Sequence, residues 1–200
     1  MPDTVARLVR ALAQPAGGSS DYDLNPGLVL PPGRVLRPAG VLLAVWLRPD
    51  GAQLILTKRS SHLKHHPGQI AFPGGKVDAA DADATAAALR EAREEVGLPE
   101  ARVQVLGTLP AHETVTGFSM TPVLGLVRDD FIPVPEAGEV EEVFTVPLAH
   151  VLNPANFAIE RRRWRGEWRR YYACPYGPYY IWGATARILR GLASRVQPGC

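Results

Sequence analysis

Hydrophobic and polar positions divide the chain into short periodic runs separated by Pro, Gly and Ser. Val5, Leu8, Val9 and Leu12 recur at helical spacing and predict an amphipathic helix over residues 4–13. Residues 15–40 are rich in Pro, Gly and Ser and predict a meandering loop. Residues 41–47 are an apolar run of strand length. Arg48-Pro49-Asp50-Gly51 follows as a turn, and residues 53–57 complete a hairpin. A basic loop, residues 58–66, precedes a short strand at 69–72. Further strands are predicted at 103–109, 121–128 and 143–146, with a polar loop at 113–119 placed to border a site. Residues 147–152 predict a short helix and 157–172 a hairpin around Arg165-Gly166-Glu167. A strand at 179–182 and a closing helix at 184–192 finish the order, the helix packing through Ala186, Ile188, Leu189 and Leu192.

The stretch from Phe72 to Leu98 carries the most chemistry. Asp81 or Asp83 can cap a helix whose first turn contains Thr85. Ala84, Ala86, Ala87, Ala88 and Leu89 are strong helix formers, and Gly97 sits where the helix stops. Thr85, Ala88, Leu89, Ala92 and Val96 share one side, and Glu91, Glu94 and Glu95 share an adjacent face. Like charges at this spacing cost about 0.2–0.5 kcal/mol per pair. Acids near the negative end of the helix dipole cost about 0.3–1 kcal/mol each. A hard divalent cation, bound through carboxylate oxygens and waters, would reverse the sign. The bland alternative is a solvated acidic helix end screened by water and salt. Two neighbouring features favour the cation. Arg90, four residues before Glu94, can hold that carboxylate, and Gly75 lets backbone approach closely enough to offer its carbonyl.

Composition narrows the remaining classes. Two hundred residues at 46% apolar content suit a single globular domain spanning residues 1–200. A net charge of +2 implies neither nucleic acid nor membrane by itself. Residues 1–20 lack a long apolar core, so neither a signal peptide nor a membrane span is expected. Cys174 and Cys200 form no disulfide framework and no zinc spacing, and a reducing cytoplasm is the expected compartment. His62, His65 and His66 fall in a predicted loop with no helix to align them as ligands.

Two charged regions stay open on residues alone. Residues 161–170 hold six Arg and two Trp. Strand alternation sends Arg161 and Arg163 to one face, and Arg162 and Trp164 to the other. They could stack a base and bind phosphate, or guard an edge strand with charge. Glu139, Glu141 and Glu142 are either additional site acids or solvent-facing acids before a strand.

Residues 90–98, REAREEVGL, resemble the core of the Nudix box, G-x5-E-x7-R-E-U-x-E-E-x-G-U with U aliphatic. Counting back from Arg90, the first acid of the pattern falls on Ala82 and its glycine on Lys76. With one residue more between them, Gly75 and Asp81 take those places, Asp standing for Glu. A second signature spans Ile55-Leu56-Thr57-Lys58-Arg59-Ser60, Lys64, Gly68 and Phe72-Pro73-Gly74-Gly75. It is similar to the mark of coenzyme A pyrophosphatases, as are the extra residue in the box and the segment 182–186. The two signatures cover residues 55–98, about a quarter of the chain.

The resemblance implies a Nudix fold, an α/β (α+β) mixed sheet between helices. An N-terminal helix and loop would occupy residues 1–40, the box 75–98, and a C-terminal hairpin and helix 155–195. It implies Mg²⁺- or Mn²⁺-dependent cleavage of the coenzyme A pyrophosphate into 3′,5′-ADP and 4′-phosphopantetheine. The expected metal ligands are Glu91, Glu95 and the Gly75 carbonyl. Glu94 is expected as a second ligand or water-orienting acid, and Arg90 as the residue that orients Glu94 or Glu95. Arg59, Lys64, Arg161 and Arg163 are the expected substrate contacts, and one acid among Glu139, Glu141 and Glu142 is expected to complete the site. Other nucleoside diphosphate derivatives such as ADP-ribose are the alternative substrates. A binding-only domain is disfavoured, because it would carry the acidic face without return. The partner is therefore a small nucleotide, with no membrane or nucleic acid expected, and the sequence leaves the oligomeric state open.

Overall fold

The computed structural model describes residues 2–28, 33–63, 66–164 and 166–196. Along these residues, α1 (Pro2–Ala13), β1 (Ser19–Ser20), β2 (Arg37–Arg48), β3 (Gly51–Arg59), β4 (Ile70–Ala71) and β5 (Gly74–Lys76) precede α2 (Ala84–Val96). Then come β6 (Val103–Thr108), β7 (His112–Glu113), β8 (Phe118–Val127), β9 (Val140–Pro147) and α3 (Leu148–Val151). The hairpin β10 (Ala158–Trp164) and β11 (Glu167–Ala173) and the helix α4 (Ala184–Val196) complete the order.

Strand β2 organises the sheet because its side chains alternate between two cores, as strand geometry dictates. Val41, Leu43 and Val45 enter one core with Leu8 and Ala11 of α1 and Ile188, Leu189 and Leu192 of α4. Leu42, Ala44 and Trp46 enter the other with Ala88, Ala92 and Val96 of α2. Apolar residues on both faces explain why this segment reads as a continuous hydrophobic run. Its neighbours are β8 in parallel and β3 in antiparallel register, and β3 in turn pairs with β9 and β4. The short β5 pairs with the start of β2. Among the described residues these strands and β1, β6 and β7 make one mixed sheet between helices, with β10 and β11 forming a separate two-stranded sheet. His112, fully buried, ties β1 to β7 through Ser19 Oγ at 2.9 Å and Asp21 Oδ1 at 3.2 Å. No helix among the described residues is long and apolar enough to cross a membrane.

The helix and strand order follows the sequence-based expectation in outline and departs from it in several places: Gly74 and Gly75 lie in β5, Lys58 and Arg59 in β3, and Glu113, Phe118 and Ser119 of the expected polar loop lie in β7 and β8. The segment 15–40 is not all loop, since it contains β1 and the first four residues of β2, recruited by pairing with β8. Residues 179–182 do not form a strand. Only the bridges Ala173↔Trp182 and Tyr176↔Tyr179 occur there, because Pro175, Pro178 and the positive φ of Gly177 fold the segment into a turn. The closing helix also runs on past Leu192 to Val196, where Ala193 and Val196 are buried.

Candidate active site

The site begins with how α2 is held. Asp83 Oδ1 accepts the Ala86 N–H at 2.8 Å, the N-cap that one of the two Asp candidates was expected to provide. Gly97, at φ 70°, ends the helix by turning its N–H back to the Arg93 carbonyl. Against the sheet the contact is backbone on backbone. A Cβ on Gly40 of β2 would lie 1.9 Å from the Ala84 carbonyl oxygen. At the other end, the amides of Val134 and Glu136 donate to the carbonyls of Val96 and Glu95 at 3.0 Å each. The loop after β8 therefore straps the acidic turn and satisfies carbonyls that a helix end leaves open.

The acids of α2 divide by environment. Glu95 is 5% exposed, its Oε2 accepts the Gly74 N–H at 3.0 Å, and Arg59 Nη1 stands 3.9 Å from its Oε1. Burial pushes its carboxyl up to about 7; the Gly74 bond and Arg59 oppose this, while Glu91 and Glu139 add repulsion. The Glu91 carboxyl is also raised, chiefly by burial and against the pull of Arg90. Gly75 faces it so closely that a Cβ there would fall 2.3 Å from Glu91 Oε1. Glu94 is the more exposed of the three.

Arg90 is the hub. Its Nε and Nη2 grip both oxygens of Asp81, at 3.0 and 2.9 Å. Its Nη1 donates to Glu91 at 2.9 Å and Glu94 at 3.0 Å, and its Nη2 reaches the Lys76 carbonyl at 3.2 Å. The Asp81 carboxyl is accordingly held below its usual range. Of the two partners expected for Arg90, Glu94 is the one bonded; Glu95 is held instead by Gly74 and Arg59. Asp81, expected as a candidate cap, anchors Arg90 instead. Its signal was there, in the one-residue expansion that puts an acid at position 81.

The remaining expected residues scatter. Lys64 lies outside the described residues. Arg161 and Arg163 sit on β10, in the second sheet, where Arg161 covers the Trp168 ring and Arg163 Nε bonds the Gly166 carbonyl. Glu141 pairs with Lys58 at 2.7 Å and Glu142 accepts from the Tyr179 hydroxyl at 2.6 Å. Glu139 is the one of the three whose charge acts on both Glu91 and Glu95.

Two desolvated carboxylates beside a glycine cradle fit a hard cation. Among the described residues no three Asp, Glu, His or Cys side chains already form a metal cage. That suits an ion such as Mg²⁺, which is commonly held by one or two carboxylates together with water and substrate phosphates.

A family model for the NUDIX domain matches residues 37–165. The chain belongs to the Nudix family. It is similar to a protein of Escherichia coli K12 named "Uncharacterized Nudix hydrolase NudL", 44% identical over 160 residues, which are 80% of this chain and 83% of that one. The protein of the same name from Enterobacter sp. strain 638 is 43% identical over the same coverage. Among solved structures, the Nudix hydrolase RenU from M. smegmatis superposes with a TM-score of 0.50 at 25% identity, covering 60% of this chain and 83% of that one. The NUDIX domain of Shewanella oneidensis NrtR reaches a TM-score of 0.53 at 15% identity over 88% and 97% of the two chains, a likeness of fold. The chain is thus a Nudix hydrolase, and Nudix hydrolases generally use divalent metal ions.

Proposed function

We propose that this Nudix hydrolase cleaves the pyrophosphate of coenzyme A or one of its derivatives, releasing 3′,5′-ADP and 4′-phosphopantetheine or its acyl form. The observation that carries the reading is the approach of Arg59 to Glu95, 3.9 Å apart. Arg59 belongs to the signature resembling coenzyme A pyrophosphatases and Glu95 to the Nudix box, so the two signatures converge on one place.

In this reading Glu91 and Glu95 are the main metal ligands, and the Gly75 carbonyl is a third. The chemistry supplied by a bound Mg²⁺ or Mn²⁺ is polarisation of phosphoryl oxygens and a lowered water pKa. Glu94 and Glu139 are the acids available to orient the attacking water and take its proton, Glu94 being held by Arg90 at 3.0 Å. Arg90, itself fixed by Asp81, keeps Glu91 and Glu94 in place. Arg59 and Lys64 neutralise the pyrophosphate, where charge develops as the bridging P–O bond breaks. Arg161 and Arg163, on β10, add positive charge that steers the anionic substrate toward the protein.

The test is a product analysis. The protein is incubated with coenzyme A and Mg²⁺, Mn²⁺ or chelator, and the products are separated by mass spectrometry. Metal-dependent 3′,5′-ADP and 4′-phosphopantetheine are expected. Intact coenzyme A from a folded sample with either metal would overturn the substrate, and ADP-ribose would be assayed next.

A further inference from the structure

One face of the β10–β11 hairpin packs against the segment that leads into α4. Its register sets Glu160 opposite Tyr171 and Arg162 opposite Arg169, so Arg162 and Tyr171 share a face. Arg161, Arg163 and Trp168 occupy the other. On the first face the Arg162 guanidinium lies 4.5 Å from the Trp182 ring centre, and Tyr171 meets Trp182 edge-on at 5.2 Å. The Tyr171 and Tyr180 hydroxyls are 3.2 Å apart. Trp182 is only half-buried and Tyr180 is 45% exposed, so aromatic surface faces solvent here instead of the core.

A short chain of contacts connects this cluster to the acids. Trp182 precedes Gly183, where an added Cβ would lie 3.7 Å from Gln69 Nε2. The Gln69 carbonyl accepts the Arg59 N–H at 3.0 Å, and Arg59 approaches Glu95. Thr185 Oγ1 anchors the same segment to the Ile70 carbonyl at 3.0 Å. Trp182 is thus linked to Arg59 through Gly183 and Gln69.

We propose that Trp182, Tyr171 and Tyr180 are the shelf on which the purine of the substrate stacks, and that Arg162 is its cationic edge, facing the phosphate on the ribose. Aromatic rings accept the π-face of a base, and a guanidinium stacks on the ring and pairs with phosphate. The inference rests on the pyrophosphate-cleaving reading above and adds the subsite that would select a purine nucleotide with a ribose phosphate.

Titration calorimetry tests it in Glu95→Gln protein, so that binding is read without turnover, using 3′,5′-ADP, 5′-AMP and UMP. The parent is expected to prefer 3′,5′-ADP. Trp182→Ala should weaken its binding about tenfold or more. Arg162→Ala should weaken 3′,5′-ADP more than 5′-AMP. With Glu95 restored, Trp182→Ala should raise KM for coenzyme A far more than it lowers kcat. If Trp182→Ala does not fold by circular dichroism, Tyr180→Ala and Arg162→Ala carry the test. Folded variants that bind 3′,5′-ADP within twofold of the parent overturn the shelf, as does a parent that prefers UMP. If coenzyme A survives the product analysis while 3′,5′-ADP binding still depends on Trp182, the shelf stands and the substrate assignment falls.

Discussion

At the scale of single residues, the site is built from carboxylates in unequal surroundings. Glu95 is buried with a carboxyl raised to about 7 from an ordinary 4.5. Folding therefore favours its protonated form. The stability this gives is present below about pH 4.5 and is lost as pH rises through about 7, on the order of 3 kcal/mol in all. Glu95→Gln should flatten the metal-free stability curve between about pH 5 and 8, measured by urea titration with chelator. The same variant should lower kcat at saturating metal by at least about a hundredfold; a folded variant with near-normal turnover would refute the role given to Glu95. Asp81 acts one step further back, through Arg90. Asp81→Ala should cost roughly 10–100-fold in metal affinity or activity, because the guanidinium loses its bidentate anchor. Equilibrium dialysis with Mn²⁺ reads the affinity directly.

At the scale of elements, α2 was legible because its signals are local. The Ala run, the capping Asp83 and the terminal Gly97 lie within one short segment, and each acts on its own backbone. The clustering of Glu91, Glu94 and Glu95 followed from helical spacing alone. Contacts through space were not legible. Nothing in the order of residues shows that Arg59 meets Glu95, that Val134 and Glu136 cap the helix, or that Arg162 lies against Trp182. The start of β2 was missed for the same reason, since its first residues are extended only because β8 pairs with them. Gly40 is the clearest element-scale constraint. Gly40→Ala must push α2 off β2, because the new Cβ would meet the Ala84 carbonyl. It should destabilise the protein by about 3 kcal/mol, a fall in Tm of roughly 6–12 °C by calorimetry.

At the scale of the whole molecule, the proposed metal site couples ion binding to folding. An ion held by Glu91 and Glu95 binds only the folded chain, so a concentration a hundred times its Kd adds about 2.7 kcal/mol of stability. Thermal unfolding should then shift upward by roughly 5–10 °C in millimolar Mg²⁺ or Mn²⁺, and Glu95→Gln should abolish most of the shift. No shift in the parent protein would argue against a site made by these acids. The parallel pairing of β2 with β8 has a consequence during synthesis. Arg37 and its partner Phe118 are separated by about eighty residues, and every element that lines the acids except the strap and β9 lies between them. A growing chain has made the acidic helix well before the ribosome delivers the strand that closes the sheet beneath it. At about 5–20 residues per second that leaves a few seconds in which Leu42, Ala44 and Trp46 lack their partners on β8, a window in which a chaperone or an aggregate can reach them first.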